Sequence, residues 1–388
     1  MGWSPFRKTG LTHYQPESCL DGYTLFAPVG YDDLLLLNME GQVVKQWLFD
    51  GESPNLARFR PNGNLIIQML SIEKRKEAQE LADDDHSNPD LRCLRLGGGT
   101  TSIHEYDWDG NLIWRYDDPR MHHDFYELEN GDILYPQWVV LPEEVSQKVK
   151  GGYPQAPDRP YMFGDDIVQV NRAGEEVGRW KTWEMLDPEE DPIGPLQGRW
   201  EWTHMNSVAM MPDGKLLASL CENSRVVLID PDQHKIIWKL GQPTISQQHH
   251  ATPVKDGNIQ IFDNGRNRPM SIPYSQVIEI DPTIDEIVWK FKPDNSEQFF
   301  SAHISSAQRL SNGNVLICEG AGGRLFEVTP ESEVVWEWIT PIIGSRPGGR
   351  ELQWVYRANR YAADHPAFVG KDLDPNNYAE LNAKYELS

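Results

Sequence analysis

VVLIDPDQHKIIW, residues 226–238, reads as an apolar strand, a tight turn at Asp230-Pro231-Asp232, and a second apolar strand that ends on Trp238. The same form recurs as SIHEYDWDGNLIW (102–114), VIEIDPTIDEIVW (277–289) and LFEVTPESEVVW (325–336). Period-2 alternation around a D-x-D-G or D-P turn is the signature of a β-hairpin. Two looser copies lie at 34–47 and 167–180, where Lys45 and Gly178 fill the Trp slot and Trp47 and Trp180 follow two residues later. Two residues along a strand return to the same face, so the indole enters the same layer. Ahead of each copy stands another hairpin signal: Asp21-Gly22, Asn62-Gly63, Asn130-Gly131, Asp213-Gly214, Asp256-Gly257 and Asn312-Gly313. These dipeptides accept the positive φ angles that tight hairpin turns demand. Two hairpins make a four-stranded sheet, and six such sheets predict an all-β, six-bladed β-propeller.

The repeats place one propeller domain over residues 1–388, with blades near 11–49, 53–117, 121–181, 203–240, 247–291 and 301–339. Two insertions interrupt it. Residues 71–95 carry the helix-forming run IEKRKEAQELADDD, and residues 139–164 carry the Pro- and Gly-rich run GGYPQAPDRP. Both are expected on one rim, as surface decoration or as a lid. Residues 340–388 form a C-terminal tail in which Gln353-Trp354-Val355-Tyr356-Arg357 reads as a strand.

Composition narrows the function. The formal charge of −23 in 388 residues argues against a nucleic-acid partner, which needs a basic face. An anionic substrate would need a local positive pocket inside that repelling field. No apolar run reaches the roughly 18–20 residues of a membrane helix. The opening Met1-Gly2-Trp3-Ser4-Pro5-Phe6-Arg7-Lys8 has no signal-peptide core, and a cytoplasmic location is expected. Cys19, Cys93, Cys221 and Cys318 are scattered without metal-ligand spacing and are expected as buried free thiols. Nothing in the sequence addresses the oligomeric state.

The turns serve as rulers for the innermost strands. Nine residues before them stand Thr12, Ser53, Met121, His204, Gln247 and His303; seven before stand Tyr14, Asn55, His123, Asn206, His249 and Ser305. These positions share a strand face if the strands are regular. The innermost strands of a propeller begin around one channel mouth, so His123, His204, His249 and His303 are expected around a common cavity. Asn55, Asn206, Gln247 and Ser305 would stand between them. Imidazole can donate, accept, attack or ligate near neutral pH. Neutral imidazoles could bind zinc or copper, but the one nearby carboxylate, Asp124, falls on the opposite strand face, and neither a metal nor another cofactor is expected. Trp138 and Trp202 lie beside the His-bearing segments as aryl-ring platforms or as packing.

The segments MHHDFYELENGDIL (121–134), EWTHMNSVAMMPDGKLLAS (201–219), QQHHATPVKDGNIQIFDNG (247–265) and AHISSAQRLSNGNVLICEG (302–320) resemble the bacterial arylsulfotransferase family, the arylsulfate sulfotransferases, over roughly residues 30–365. The resemblance implies a six-bladed propeller with a central active site. It also implies sulfate transfer from one phenol ester to another phenol, without a nucleotide donor. On the matching motifs, the family's sulfated nucleophile falls on His249, and its helper histidines fall on His204 and on His123 or His122, with Asn206 beside them. The family's Arg, in an S-S-R segment, falls on Cys221; Arg225 comes four residues late, and Arg58, Arg357 and Arg360 are other stand-ins. The binding set is thus Asn206, His303, His122, His250, Asn55, Arg225 and Arg357, for a small aryl sulfate or related aromatic anion. Two other readings keep the same residues: a hydrolase or lyase acting on another small acidic or aromatic metabolite, and a non-catalytic binding propeller.

Overall fold

The computed structural model describes residues 7–81, 85–154, 160–269, 271–346 and 350–387. Its fold class is the six-bladed β-propeller: six small antiparallel sheets, five of four strands and one of five, with an additional two-stranded ribbon at Gly344–Arg346 and Arg350–Leu352. The chain groups into two compact units. One comprises Met1–Ile72, Ser102–Tyr116 and Trp289–Ser388; the other comprises Glu73–Thr101 and Asp117–Val288.

In the first unit, one sheet runs Val355–Ala362, Gly22–Pro28, Asp33–Leu37, Val43–Leu48, and the next runs Glu52–Phe59, Leu65–Ser71, Ser102–Tyr106, Leu112–Asp117. The third runs Ser306–Arg309, Val315–Glu319, Arg324–Val328, Val334–Ile339 and ends on Gly10–Tyr14. Here the structure corrects the sequence reading. Thr12 and Tyr14 do not begin an innermost strand; Leu11 pairs with Trp338 and Tyr14 with Trp336 on the outside of the last blade. The innermost strand of the first blade comes instead from the supposed C-terminal tail, Gly22 pairing with Ala362 and Phe26 with Ala358. Asp21-Gly22 is accordingly no hairpin turn: Gly22 opens a strand and lies so close to its partner that a Cβ there would meet the Tyr361 carbonyl oxygen at 2.0 Å. The other five dipeptides are turns, with φ of +86° at Gly63, +85° at Gly131, +84° at Gly214, +81° at Gly257 and +92° at Gly313. Only glycine takes such angles without a steric penalty, which is why the ruler works there.

The second unit holds Tyr126–Glu127, Ile133–Val140, Phe163–Val170, Glu176–Lys181; then Met205–Met210, Leu216–Leu220, Arg225–Asp230, Lys235–Leu240; then His249–Pro253, Ile259–Asp263, Gln276–Asp281, Glu286–Phe291. The second strands Leu216–Leu220 and Ile259–Asp263 are buried throughout, whereas the outermost strand Lys235–Leu240 alternates exposed with half-buried residues. Burying each Leu, Ile or Val side chain contributes about 1.5–3 kcal/mol; these residues lead the core of the second unit, and in the first they share it with aromatic rings such as Trp47, Phe49, Phe59 and Trp336.

The repeat tryptophans do something other than fill the core. Trp47 and Trp336 are buried, but Trp114, Trp180, Trp238 and Trp289 are half-buried on the outermost strands. Five indoles donate to the hairpin turn of the next repeat: Trp47 Nε1 to Trp108 O at 2.8 Å, Trp180 to Pro231 O at 2.9 Å, Trp238 to Asp285 Oδ1 at 2.6 Å, Trp289 to Pro330 O at 2.8 Å and Trp336 to Met39 O at 2.8 Å. The slot therefore suits a wide ring with a donor at its edge, which the indole supplies.

Both insertions are ordered where described. The first forms helices at Ile72–Glu80 and Pro89–Cys93, the latter capped by Asn88, whose side chain accepts from Asp90 N–H and Leu91 N–H; residues 82–84 lie outside the described residues. The second contains a short helix, Glu143–Ser146, and residues 155–159 of its Pro- and Gly-rich run lie outside the described residues. The two meet within the second unit, where Cys93 packs with Trp138 and Phe163, and His86 lies edge-on to Tyr161 with ring centroids 5.8 Å apart. No helix of the described residues is long and apolar enough to cross a membrane. The four cysteines are free thiols, three of them buried.

Candidate active site around a histidine cluster

Each His-bearing segment of the second unit enters its sheet through an irregularity. His123 and His204 precede the strands Tyr126–Glu127 and Met205–Met210, with φ of +57° and +53°. Gln247 and His250 sit at +51° and +52°. Register breaks follow between Met205 and Ser207 and between His249 and Thr252, and in the first unit between Pro54 and Leu56. The assumption of regular alternation therefore fails at the strand starts. A non-glycine residue in the left-handed region costs on the order of 1–2 kcal/mol, and such strain gathers where function needs a side chain aimed against local preference.

Three imidazoles come together by this means. The His123 and His204 rings meet edge to face with centroids 4.4 Å apart. His122 Nδ1 lies 2.8 Å from His123 Nδ1, and the His122 ring stacks on Trp138 at 4.0 Å and 16°. Behind them His122 Nε2 lies 3.1 Å from Oδ1 of Asp165. The other oxygen of Asp165 accepts from Met205 N–H at 2.7 Å and from the Thr203 hydroxyl. Glu201 serves two groups, accepting from Trp138 Nε1 at 2.9 Å and holding His204 Nδ1 at 2.7 Å. The segment after the first insertion packs against the cluster: His123 N–H donates to Gly98 O at 2.8 Å. A Cβ on Gly98 would lie 2.2–2.4 Å from three atoms of the His123 ring, and one on Gly97 would lie 3.7 Å from His204 Cε1.

The charges follow from this packing. Burial disfavours a charged His204, yet Glu201, with Glu222 and Asp165 further off, overcomes it and raises the imidazole to about 9. His204 is thus a cation at neutral pH with 12% of its side chain exposed. Burial pushes the Glu222 carboxyl up to about 7, Glu201 adding to the effect while His204 and Arg266 oppose it. Burial also opposes ionisation of Asp165, but His122, Thr203 and Met205 hold it below the ordinary carboxylate range. Glu222 reaches this region because Cys221 N–H and Glu222 N–H donate to the carbonyls of His204 and Thr203 at 3.2 and 3.0 Å. Burial raises the Cys221 thiol well above its usual range, so this residue is an inert neutral group.

His249 belongs to the adjacent strand. Its Nδ1 lies 2.8 Å from Asn264 Oδ1. An amide oxygen only accepts, so Nδ1 carries the proton and the lone pair of the neutral ring is on Nε2. Asn206 ties this strand to that of His204: its Nδ2 donates to Gln248 O at 2.8 Å and its Oδ1 accepts from His250 N–H at 3.2 Å. Both ends of the Asn206 amide therefore hold backbone, because the irregular strand start leaves those peptide groups without ladder partners.

Other expected residues are also placed otherwise. Arg225 binds Asp191 through Nε at 3.0 Å, in a group that Lys239 joins at 2.6 Å. His122 is fully buried and reaches a substrate only through His123. Arg360 is buried against Glu327 at 2.7 Å and lies over the Trp336 ring, a structural pair. Trp202 is core, its Nε1 donating to Asp191 O at 2.7 Å, and Trp138 is buried behind His122 rather than presented as a platform. In the first unit, the His303 ring lies against Trp354 at 4.3 Å, and Arg357 is buried beneath Tyr356. There too, Asn55 occupies the bulge, its Nδ2 buried without a hydrogen-bond partner among the described residues.

Sequence reasoning overlooked Glu201, Asp165, Glu222, Asn264, Gly98 and Arg266. Two were within reach, since Glu201 lies three residues before His204 and Asn264 stands in the quoted F-D-N-G motif. Asp165 and Gly98 were not, because their partners lie 43 and 25 residues away along the chain (165 − 122 and 123 − 98) and only folding joins them. Among the described residues no three His, Cys, Asp or Glu side chains are arranged to hold a metal ion.

Comparison with solved structures gives a likeness in fold. A protein of unknown function from Bacteroides caccae superposes with a TM-score of 0.53 at 12% identity, covering 88% of this chain and 98% of that one. A virginiamycin B lyase from Staphylococcus aureus gives 0.41 at 11% identity, covering 74% and 70%. AztD from Citrobacter koseri gives 0.43 at 9% identity, covering 89% and 99%. No curated protein matches the chain. The sequence profile described as "Arylsulfotransferase (ASST)" matches residues 90–341, nearly two-thirds of the 388 residues and the whole of the histidine cluster, and the chain belongs to the arylsulfotransferase family.

Proposed function

We propose that the chain transfers a sulfuryl group from an aryl sulfate to a phenol, in two steps, through His249. The observation that carries this reading is the hydrogen bond from His249 Nδ1 to Asn264 Oδ1, which leaves the lone pair of the ring on Nε2. In the first step Nε2 attacks sulfur, the S–O(aryl) bond breaks, and the departing phenolate takes a proton from the His204 imidazolium. Glu201 keeps that proton on His204 until the leaving oxygen claims it. In the second step a phenol attacks the sulfur, and the N–S electron pair returns to Nε2. Arg266, two residues beyond Asn264 and electrostatically coupled to Glu222 and Cys221, supplies positive charge in place of the Arg that the family carries at the Cys221 slot. The bond chemistry needs no cofactor.

The experiment is a single turnover with 4-nitrophenyl sulfate followed by mass spectrometry. A burst of one phenolate per protein and an 80 Da increment on the peptide containing His249 support the reading, 80 being roughly the mass of SO3 added to an imidazole. An increment on His250 assigns the wrong neighbour, and turnover with no labelled peptide removes the covalent step.

A second reading is hydrolysis of a less highly charged aromatic ester. It is favoured by Glu222, a carboxyl that acts on His204 and follows directly on Cys221, the slot at which the family has its Arg. Phenolate release at the same rate with and without added phenol distinguishes it.

A further inference from the structure

Between His123 and the interior runs an unbroken chain of polar contacts that the two steps above do not use. Asp165 is buried; one of its oxygens accepts from Met205 N–H at 2.7 Å and from the Thr203 hydroxyl, and the other lies 3.1 Å from His122 Nε2. A carboxylate at that distance favours the His122 tautomer with its proton on Nε2. His122 Nδ1 faces His123 Nδ1 at 2.8 Å, and one of these two nitrogens must donate to the other. With His122 neutral, the donor is His123 Nδ1–H, and the lone pair of His123 falls on Nε2. With His122 cationic, the donor is His122, and Nε2 of His123 carries the proton. The pair thus has two tautomeric states, and the charge of the second is held by Asp165.

From this geometry we propose that Asp165 and His122 are a proton relay behind His123, making His123 the general base of the site while His204 is its general acid. The need for a relay is electrostatic. A base that takes the proton of the acceptor phenol becomes a cation inside a buried cluster, where charge is costly without a counter-ion. Passing the proton one ring further moves the new charge onto His122, against Asp165. The flat stack of His122 on Trp138 and the close approach of Gly98 to the His123 ring hold both rings in line for the exchange. Asp165 and His122 are positioning residues in this account, since neither touches substrate.

The proposal rests on the sulfuryl-transfer reading and assigns the second step. The acceptor phenol gives its proton to His123 Nε2, and His123 Nδ1–H passes to His122 Nδ1. The phenolate oxygen then bonds to sulfur as the N–S bond to His249 breaks, its electron pair returning to His249 Nε2. The proton held on His122 returns through His123 to His204, which lost one to the first phenolate, and the cycle is balanced.

The test separates the relay from the reaction it serves. In full-length protein, burst amplitude and rate with 4-nitrophenyl sulfate measure the first step, and labelled protein mixed with phenols of graded acidity measures the second. His122→Gln and Asp165→Asn should slow the second step far more than they slow the burst. They should slow transfer to unactivated phenol by roughly 100- to 10,000-fold, the range for a lost general base. They should also leave transfer to 4-nitrophenol, which is already ionised at assay pH, nearly unchanged. A merely structural lesion would slow all acceptors alike, and that result would overturn the relay. Asp165 also anchors Met205 and Thr203, so a third measurement does not depend on a variant folding. Imidazole 15N spectra of selectively labelled wild type should show His122 protonated on Nε2 and His123 on Nδ1; a proton on His123 Nε2 with a neutral His122 overturns the assignment. Absence of any burst from wild type would instead remove the sulfuryl-transfer reading and leave the tautomer result standing.

Discussion

Replacing Glu201 by Gln removes one charge from the cluster while keeping its shape. The amide oxygen of Gln can still accept from Trp138 Nε1 and from His204 Nδ1–H, the two contacts at 2.9 and 2.7 Å. What changes is the stability of the imidazolium. His204 is raised from 6.5 to about 9 against the opposing effect of burial, with Glu201 as the leading favourable cause. That difference of about 2.5 units corresponds to about 3 kcal/mol of preference for the charged ring in the folded state. Because the folded value lies above the unfolded one, this stability is complete below about pH 6.5 and is lost as pH rises through about 9. Glu222, raised to about 7 by burial, adds a decline of the same sign at lower pH, so the range above pH 7 reports chiefly on His204. Urea unfolding of wild type should therefore show stability falling by roughly 2–3 kcal/mol between about pH 7 and pH 10, and Glu201→Gln should flatten that slope. In the variant burial acts on His204 with only Glu222 and Asp165 left to oppose it, so its NMR titration should move well down from about 9, and phenolate release at pH 7.5 should drop at least tenfold. If His204 titrates at the same pH in both proteins, Glu201 does not set its charge and the assignment of His204 as general acid fails.

Three further outcomes are expected. Gly98→Ala should lose about 1–2 kcal/mol from its backbone angle alone, φ being +79°, and should displace the His123 ring. Its second-step rate should then fall at least tenfold, whereas wild-type stability and rate together would show that the close approach does not constrain the ring. Asn264→Ala removes the acceptor at His249 Nδ1 and should slow labelling of His249 by roughly 10- to 100-fold, while Asn264→Asp, which still accepts, should label at near the wild-type rate or faster; equal slowing in both variants would deny the tautomer argument. Arg360→Ala leaves Glu327 buried without its guanidinium and should cost about 3–5 kcal/mol in denaturant unfolding with no effect on the histidine cluster, and a loss below 1 kcal/mol would show the pair to be weak.

The six-fold repeat and the five Asn-Gly or Asp-Gly turns were legible in the sequence because both depend on residues within about a dozen positions of one another. Side-chain alternation and positive φ are local requirements, and the chain states them locally. The identity of the innermost strand of the first blade was not legible. It required Gly22–Pro28 to find Val355–Ala362, more than 300 residues later, and the dipeptide Asp21-Gly22 reads as a turn until that partner lies against it. The candidate site divides in the same way. Histidines at repeated distances from the turns could be counted, and His123 and His204 do meet. The angle at which they meet depends on left-handed residues and bulges that no alternation rule contains. Which side chains had other duties was decided only in three dimensions: Asn206 by unpaired backbone, Arg225 by Asp191, and His122 by Asp165. A polar group buried on folding takes whatever partner reaches it, and that choice is made by packing rather than by sequence distance.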